Sequence, residues 1–147
     1  MLVEMGKKAR QAARKLGRAS SEQKNAALLC LADALLSSSA EILAANTEDL
    51  AEAREAGLSA ALLDRLTLNP ERLQSISADL RRVAELPDPI GERFDQMTLP
   101  NGMSLYKQRV PLGVLAVIYE ARPNVTMDVA GLALKTGNAV ILRGGSE

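Results

Sequence analysis

The chain has 147 residues, enough for one domain with a sizeable core, and its eighteen basic and eighteen acidic side chains cancel. Zero net charge provides no global field toward nucleic acid or an anionic membrane, and two Tyr, one Phe and no Trp provide no stacking platform for bases. No apolar run reaches membrane-span length, histidine is absent, and a single cysteine excludes an internal disulfide, so the chain reads as soluble and cytoplasmic.

Residues 1–86 read as a helical layer. The N-terminus, MLVEMGKKARQAARKLG, is basic but has no apolar h-region, and Glu4 and its helical pattern favour a helix over a signal peptide or presequence. Ser20 and Gln23 have capping-box spacing. Leu28, Leu29, Leu31, Ala32, Leu35 and Leu36 then recur at helical spacing. Cys30 sits inside that leucine stripe and is expected to be buried and inert. Ser37-Ser38-Ser39 reads as a helix boundary. A helix over 40–56 ends at Gly57, a suitable C′ residue, and a short helix covers 60–66. Asn69-Pro70 supplies a cap and a proline at the first helical position for a helix running to about Leu86.

Leu86-Pro87-Asp88-Pro89-Ile90-Gly91 is a turn or linker. Extended runs over 93–99 and 103–110 flank Pro100-Asn101-Gly102, and Asn-Gly between such runs predicts a hairpin within 92–110. Val114–Ile118 has the composition of a buried strand, 125–135 has helical length, and Ala139–Leu142 is a second apolar run. Lys135 in the last turn and Gly137 beyond it suit a helix end. Strand, helix and strand within 111–147 make one βαβ unit, with a right-handed parallel crossover as the default. The fold expected is α/β: N-terminal helices, a β-hairpin, and the opening of a Rossmann-like parallel sheet. The chain stops at Glu147, a few residues after a strand where another helix is expected, and so reads as a fragment of a longer domain.

Ligands of open parallel sheets bind beyond the carboxyl ends of the strands, where both polar knots of this unit fall. Arg143 follows the second strand, where a basic residue suits the 2′-phosphate of NADP; the alternative is a solvated arginine that ends a strand. Gly144-Gly145 is a weak phosphate-loop signal, and neither G-x-G-x-x-G nor a P-loop is present. Asn124 can donate N–H bonds to an oxyanion at the first strand tip, or N-cap a helix beginning near Val125, or both. Arg122 can hold a carboxylate or phosphate, or pair with Glu120 or Asp128. No Cys/His/Asp/Glu cluster has metal-site spacing, and no convincing nucleophile is present.

With these residues in view, VPLGVLAVIYEARPNVT and LALKTGNAVILRGG closely resemble the glutamate-5-semialdehyde dehydrogenases, or gamma-glutamyl phosphate reductases, of the aldehyde dehydrogenase-like superfamily. LDRLTLNPERL and the DPIG turn extend the resemblance over essentially the whole chain, which matches only the N-terminal part of such an enzyme. The resemblance implies NADPH-dependent reduction of gamma-glutamyl phosphate to glutamate 5-semialdehyde and phosphate, on the way to proline. It implies that Asn124 lines an oxyanion hole, that Arg143 contacts the adenosine ribose with Gly144 and Gly145 beside it, and that Arg122 helps hold the anionic substrate. It also implies homo-oligomer formation through the hairpin, the alternative being a hairpin folded back on its own domain. The family's catalytic cysteine lies in a later domain, and Cys30 does not match it. The chain alone is therefore expected to be inactive. The rival readings are a truncated paralogue that acts as a binding module and a superfamily member that reduces a different acyl group.

Overall fold

In the computed structural model, residues 2–120 and 122–145 are described. Ala121, inside the Tyr119–Asn124 knot, lies outside them, as do Met1 and the last two residues of the predicted βαβ unit. Five helices come first: α1 (Leu2–Leu16), α2 (Ser21–Ser37), α3 (Ser39–Glu55), α4 (Ala60–Leu66) and α5 (Pro70–Glu85). The hairpin β1 (Arg93–Thr98) and β2 (Ser104–Gln108) follows, then β3 (Val114–Ile118), α6 (Pro123–Lys135) and β4 (Ala139–Arg143).

Local chemistry sets most of these boundaries. Ser20 and Gln23 form the reciprocal capping box of α2. Ser59 caps α4, and Asn69 caps α5 ahead of Pro70. Helices α3 and α6 end in the same way. Gly57, at φ 78°, donates to the Arg54 carbonyl while Leu58 donates to Ala53; Gly137, at φ 68°, donates to Leu134 while Asn138 donates to Ala133.

The core lies where α2, α5 and α6 meet. Leu28 and Ala32 of α2 pack against Leu80 and Ala84 of α5, with Met127 and Leu134 of α6 closing over them. Leu35, Leu73 and Ile76 continue the core toward α3. Leu50, Ala53 and Leu66 form a smaller cluster between α3 and α4. Gly131 lets α6 approach: a Cβ there would lie 2.7 Å from Leu80 Cδ2. No single described helix is long and apolar enough to cross a membrane.

Cys30 departs from expectation, because it is exposed. The buried face of α2 runs through Lys24, Leu28, Ala32 and Leu35, and residue 30 lies about 200° around the helix from residue 28. The leucine run is wider than the stripe that the core accepts, so Leu29 and Leu36 are exposed as well.

Strands β3 and β4 pair in parallel, with Val114 opposite Ala139 and Ile118 opposite Arg143. The buried Asn138 accepts from the Gly113 N–H at 2.8 Å and fixes the start of that register. β3 alternates in exposure instead of being buried throughout. An apolar run of this kind is covered on both faces in a full parallel sheet, whereas the sheet among the described residues has two strands, and Ile118 remains 81% exposed.

The antiparallel hairpin is exposed along both strands, so it is not folded back on its own domain. Its register shifts between Phe94 and Met97, where Asp95 takes φ 51°. At its tip, Gly102 has φ 84° and Asn101 accepts from the Met103 N–H, as the Asn-Gly signal requires.

Candidate functional site

The linker that leads from the helical layer to the sheet is tied down by a buried charge. Lys24 lies on the apolar face of α2 at 3% exposure and pairs with Asp88. Asp88 also accepts from Ser21 Oγ at 2.6 Å and from the Ile90 N–H at 3.0 Å. Burial pushes the Asp88 carboxyl up, but the hydrogen bonds from Lys24, Ser21 and Ile90, with the Lys24 charge, outweigh it and hold the carboxyl below its ordinary value. Lys135, at the end of α6, is buried too and donates to Asn25 Oδ1 at 2.7 Å and to the Ala84 carbonyl at 2.9 Å. These bonds fix α6 and the linker against the α2–α5 layer.

The parallel pairing then brings both strand tips to one edge. The Tyr119 N–H donates to the Arg143 carbonyl at 3.1 Å, so the polar knot after β3 lies beside the end of β4. The Tyr119 hydroxyl and Thr126 Oγ1 share a hydrogen bond at 2.5 Å, which ties the knot to the first turns of α6.

Helix α6 begins at Pro123, two residues before the sequence-based boundary. Arg122, just before a proline, is kept out of the helical region at φ −145° and ψ 84° and is the N-cap residue, with no side-chain cap bond. Asn124 is therefore not the N-cap. It is the second residue of the helix, and its Nδ2 donates to Asp128 Oδ2 at 3.1 Å, one turn on.

Asn124 and Arg122 line an open cleft of about 400 Å³ between the start of α6 and the α4–α5 junction. Asp64, Arg65, Thr67 and Arg72 form its opposite wall. Arg72 is committed there, donating to Asp64 Oδ1 at 2.8 Å and to the Thr67 carbonyl at 2.7 Å. Among the described residues, no ion pair joins Arg122 to Glu120 or Asp128. The α4–α5 wall was not visible as site chemistry in the sequence, because its residues are separated from Arg122 by about fifty positions of chain and share no motif with it.

Arg143 is exposed and folds back to donate Nη1 to the carbonyls of Gly144 and, at 3.3 Å, Gly145. Gly144 lies against the Tyr119 ring, with its Cβ position 3.9 Å from ring atoms. Arg143 does not line the α6 cleft, and neither does Cys30. Among the described residues, no group of three or more His, Cys, Asp or Glu could hold a metal ion.

Comparison with known proteins shows what the chain is similar to. The chain is 61% identical over 148 residues to a gamma-glutamyl phosphate reductase of Roseiflexus castenholzii, covering 99% of this chain and 35% of that one. It matches the N-terminal third of the gamma-glutamyl phosphate reductases. A Vibrio cholerae protein of the same name is 60% identical over 146 residues, and again 35% of its length is covered. Among solved structures, the gamma-glutamyl phosphate reductase of Thermotoga maritima superposes with a TM-score of 0.95 at 42% identity, over 99% of this chain and 35% of that one. The Saccharomyces cerevisiae enzyme superposes at 0.92 and 38% identity, over 97% of this chain and 36% of that one. No protein-family model matches the chain. The α/β fold with a parallel sheet, and the resemblance that the Tyr119–Asn124 knot carried, are both borne out.

Proposed function

We propose that the chain forms one wall of a reductase that converts gamma-glutamyl phosphate to glutamate 5-semialdehyde and phosphate with NADPH, a step of proline biosynthesis. The observation that carries this reading is the placing of Asn124 and Arg143 at the carboxyl edge of one parallel strand pair, in a chain matching a third of the named reductases over its whole length.

Each residue has a role that its surroundings support. Asn124 keeps an amide N–H beyond the one given to Asp128, and that N–H can stabilise the oxyanion that forms at the acyl carbon. Arg122 lines the same cleft and can hold an anionic group of the substrate. The Arg143 guanidinium spends only Nη1 on the carbonyls of Gly144 and Gly145. Its remaining donors suit the 2′-phosphate of NADP(H), which supplies the hydride when bound. The fit extends to the ribose end alone. Pro123 brings no N–H to the start of α6, and the Val125 N–H is used by the Arg122 carbonyl, so α6 offers little to a pyrophosphate. The family resemblance implies that the nucleophilic cysteine lies in the remaining two thirds of such an enzyme, and exposed Cys30 does not line the cleft. The hairpin, exposed on both faces with Phe94, Met97, Leu105 and Tyr106 at its surface, is the element by which full-length subunits associate.

The test is a full-length reductase in which these 147 residues precede the remaining two thirds of the Roseiflexus castenholzii relative. Phosphate-dependent reduction of NADP by glutamate 5-semialdehyde, the reverse reaction, is the expected result. No turnover from a folded chimera would overturn the proposal.

A further inference from the structure

We infer that Asp128 is a positioning residue for Asn124, an inference that rests on the oxyanion reading of Asn124. The two residues lie four apart on α6, on one face and one turn from each other, and Asn124 Nδ2 donates to Asp128 Oδ2 at 3.1 Å. A carboxylate only accepts hydrogen bonds, whereas an amide has one accepting end and one donating end of nearly equal shape. Only the NH₂ end of Asn124 can therefore face Asp128. The bond selects one of the two amide orientations and leaves the second N–H of the same nitrogen for a ligand in the cleft that both residues line. With no acceptor at position 128, the exposed amide of Asn124 could turn its oxygen toward that ligand, and an oxygen repels an oxyanion.

A carboxylate near a developing negative charge carries an electrostatic cost, so its presence calls for a compensating arrangement. Arg65 and Arg122 line the same cleft as Asp128 and keep its field from being purely acidic. Asp128 is also half-buried, and its bond to Asn124 is the one hydrogen bond its side chain makes among the described residues.

The experiment is a double-mutant cycle in the full-length chimera, with NADPH binding as a check that each variant is folded. Asn124→Ala is expected to lower kcat by about a hundred- to a thousandfold, the usual cost of losing one oxyanion donor. Asp128→Ala is expected to lower kcat by about tenfold, the loss of one charge-assisted hydrogen bond, with KM for the acyl substrate unchanged. Asp128→Asn retains an acceptor and should fall between Asp128→Ala and the parent. In the Asn124→Ala background, Asp128→Ala should cost nothing further, because the group it positions is gone. An equal loss from Asp128→Ala in both backgrounds would overturn the inference and leave the role of Asn124 intact. A raised KM with unchanged kcat would overturn it in favour of direct substrate contact. An unchanged kcat in Asn124→Ala would overturn the oxyanion reading and the inference together.

Discussion

Replacing Asp88 by Asn in the 147-residue chain removes the charge that compensates buried Lys24. The Lys24 side chain is 2% exposed and the Asp88 side chain 10%, so water cannot readily replace the lost partner. The Asn side chain keeps one acceptor, enough for Ser21 Oγ or the Ile90 N–H, but sets an NH₂ group or a neutral oxygen against the ammonium. Breaking one side of a buried pair costs roughly 3–5 kcal/mol, and the residual exposure of Asp88 puts this case near about 3. That is a large share of a typical domain stability of about 5–15 kcal/mol. The assay is urea unfolding at neutral pH followed by far-ultraviolet circular dichroism, which reports the helical layer. Adding Lys24→Met to Asp88→Asn should recover most of the loss, since no buried charge is then left alone. The pH dependence has a definite sign. The folded-state pKa of Asp88 is lowered, so its stabilisation is full above the unfolded value of about 3.9 and is lost as the pH falls through the folded value. The parent should lose that increment on acidification, and Asp88→Asn should lack it. A cost below about 1 kcal/mol, or the same acid slope in both proteins, would refute the reasoning.

Three further outcomes follow from the same structure. Leu28→Ala, at a side chain with 0% exposure, should cost about 2–5 kcal/mol in the same urea assay, while Leu132→Ala, at 51% exposure, should cost under about 1. In the full-length chimera, Arg143→Glu should shift preference from NADPH toward NADH by about ten- to a hundredfold, read as the ratio of kcat/KM values; an unchanged ratio would take Arg143 out of the cofactor site. Leu105→Glu at the exposed hairpin should lower the mass of the chimera measured by light scattering while leaving its circular dichroism unchanged.

Much of the fold is written in signals that span a few residues. The Ser20–Gln23 box, Asn69-Pro70, Gly57, Gly137 and Asn101-Gly102 each fix a boundary through contacts within about five residues, and each is realised. The strand, helix and strand over 114–143 were legible because apolar runs of strand length flank one of helical length. Errors arose where a local signal competed with a neighbour. Pro123 at the first helical position moved the start of α6 forward and gave the cap position to Arg122, so Asn124 turned from a capping residue into a donor to Asp128.

What only the tertiary structure decided is which side chains meet across long separations. Ser21 and Asp88 are 67 positions apart and Lys135 and Asn25 are 110 apart, yet these contacts anchor the linker and α6. The leucine run of α2 could not say which of its faces the core would take, so Cys30 came out exposed. The cleft beside Asn124 exists because α6 packs on α5 and brings Arg122 against the α4–α5 junction. The sequence by itself determined the elements, their order and the residues that carry the family likeness, because backbone propensity and capping are short-range. The packing determined the burial of charge and the walls of the cleft, because these depend on contacts that exist only once the helices have closed on one another.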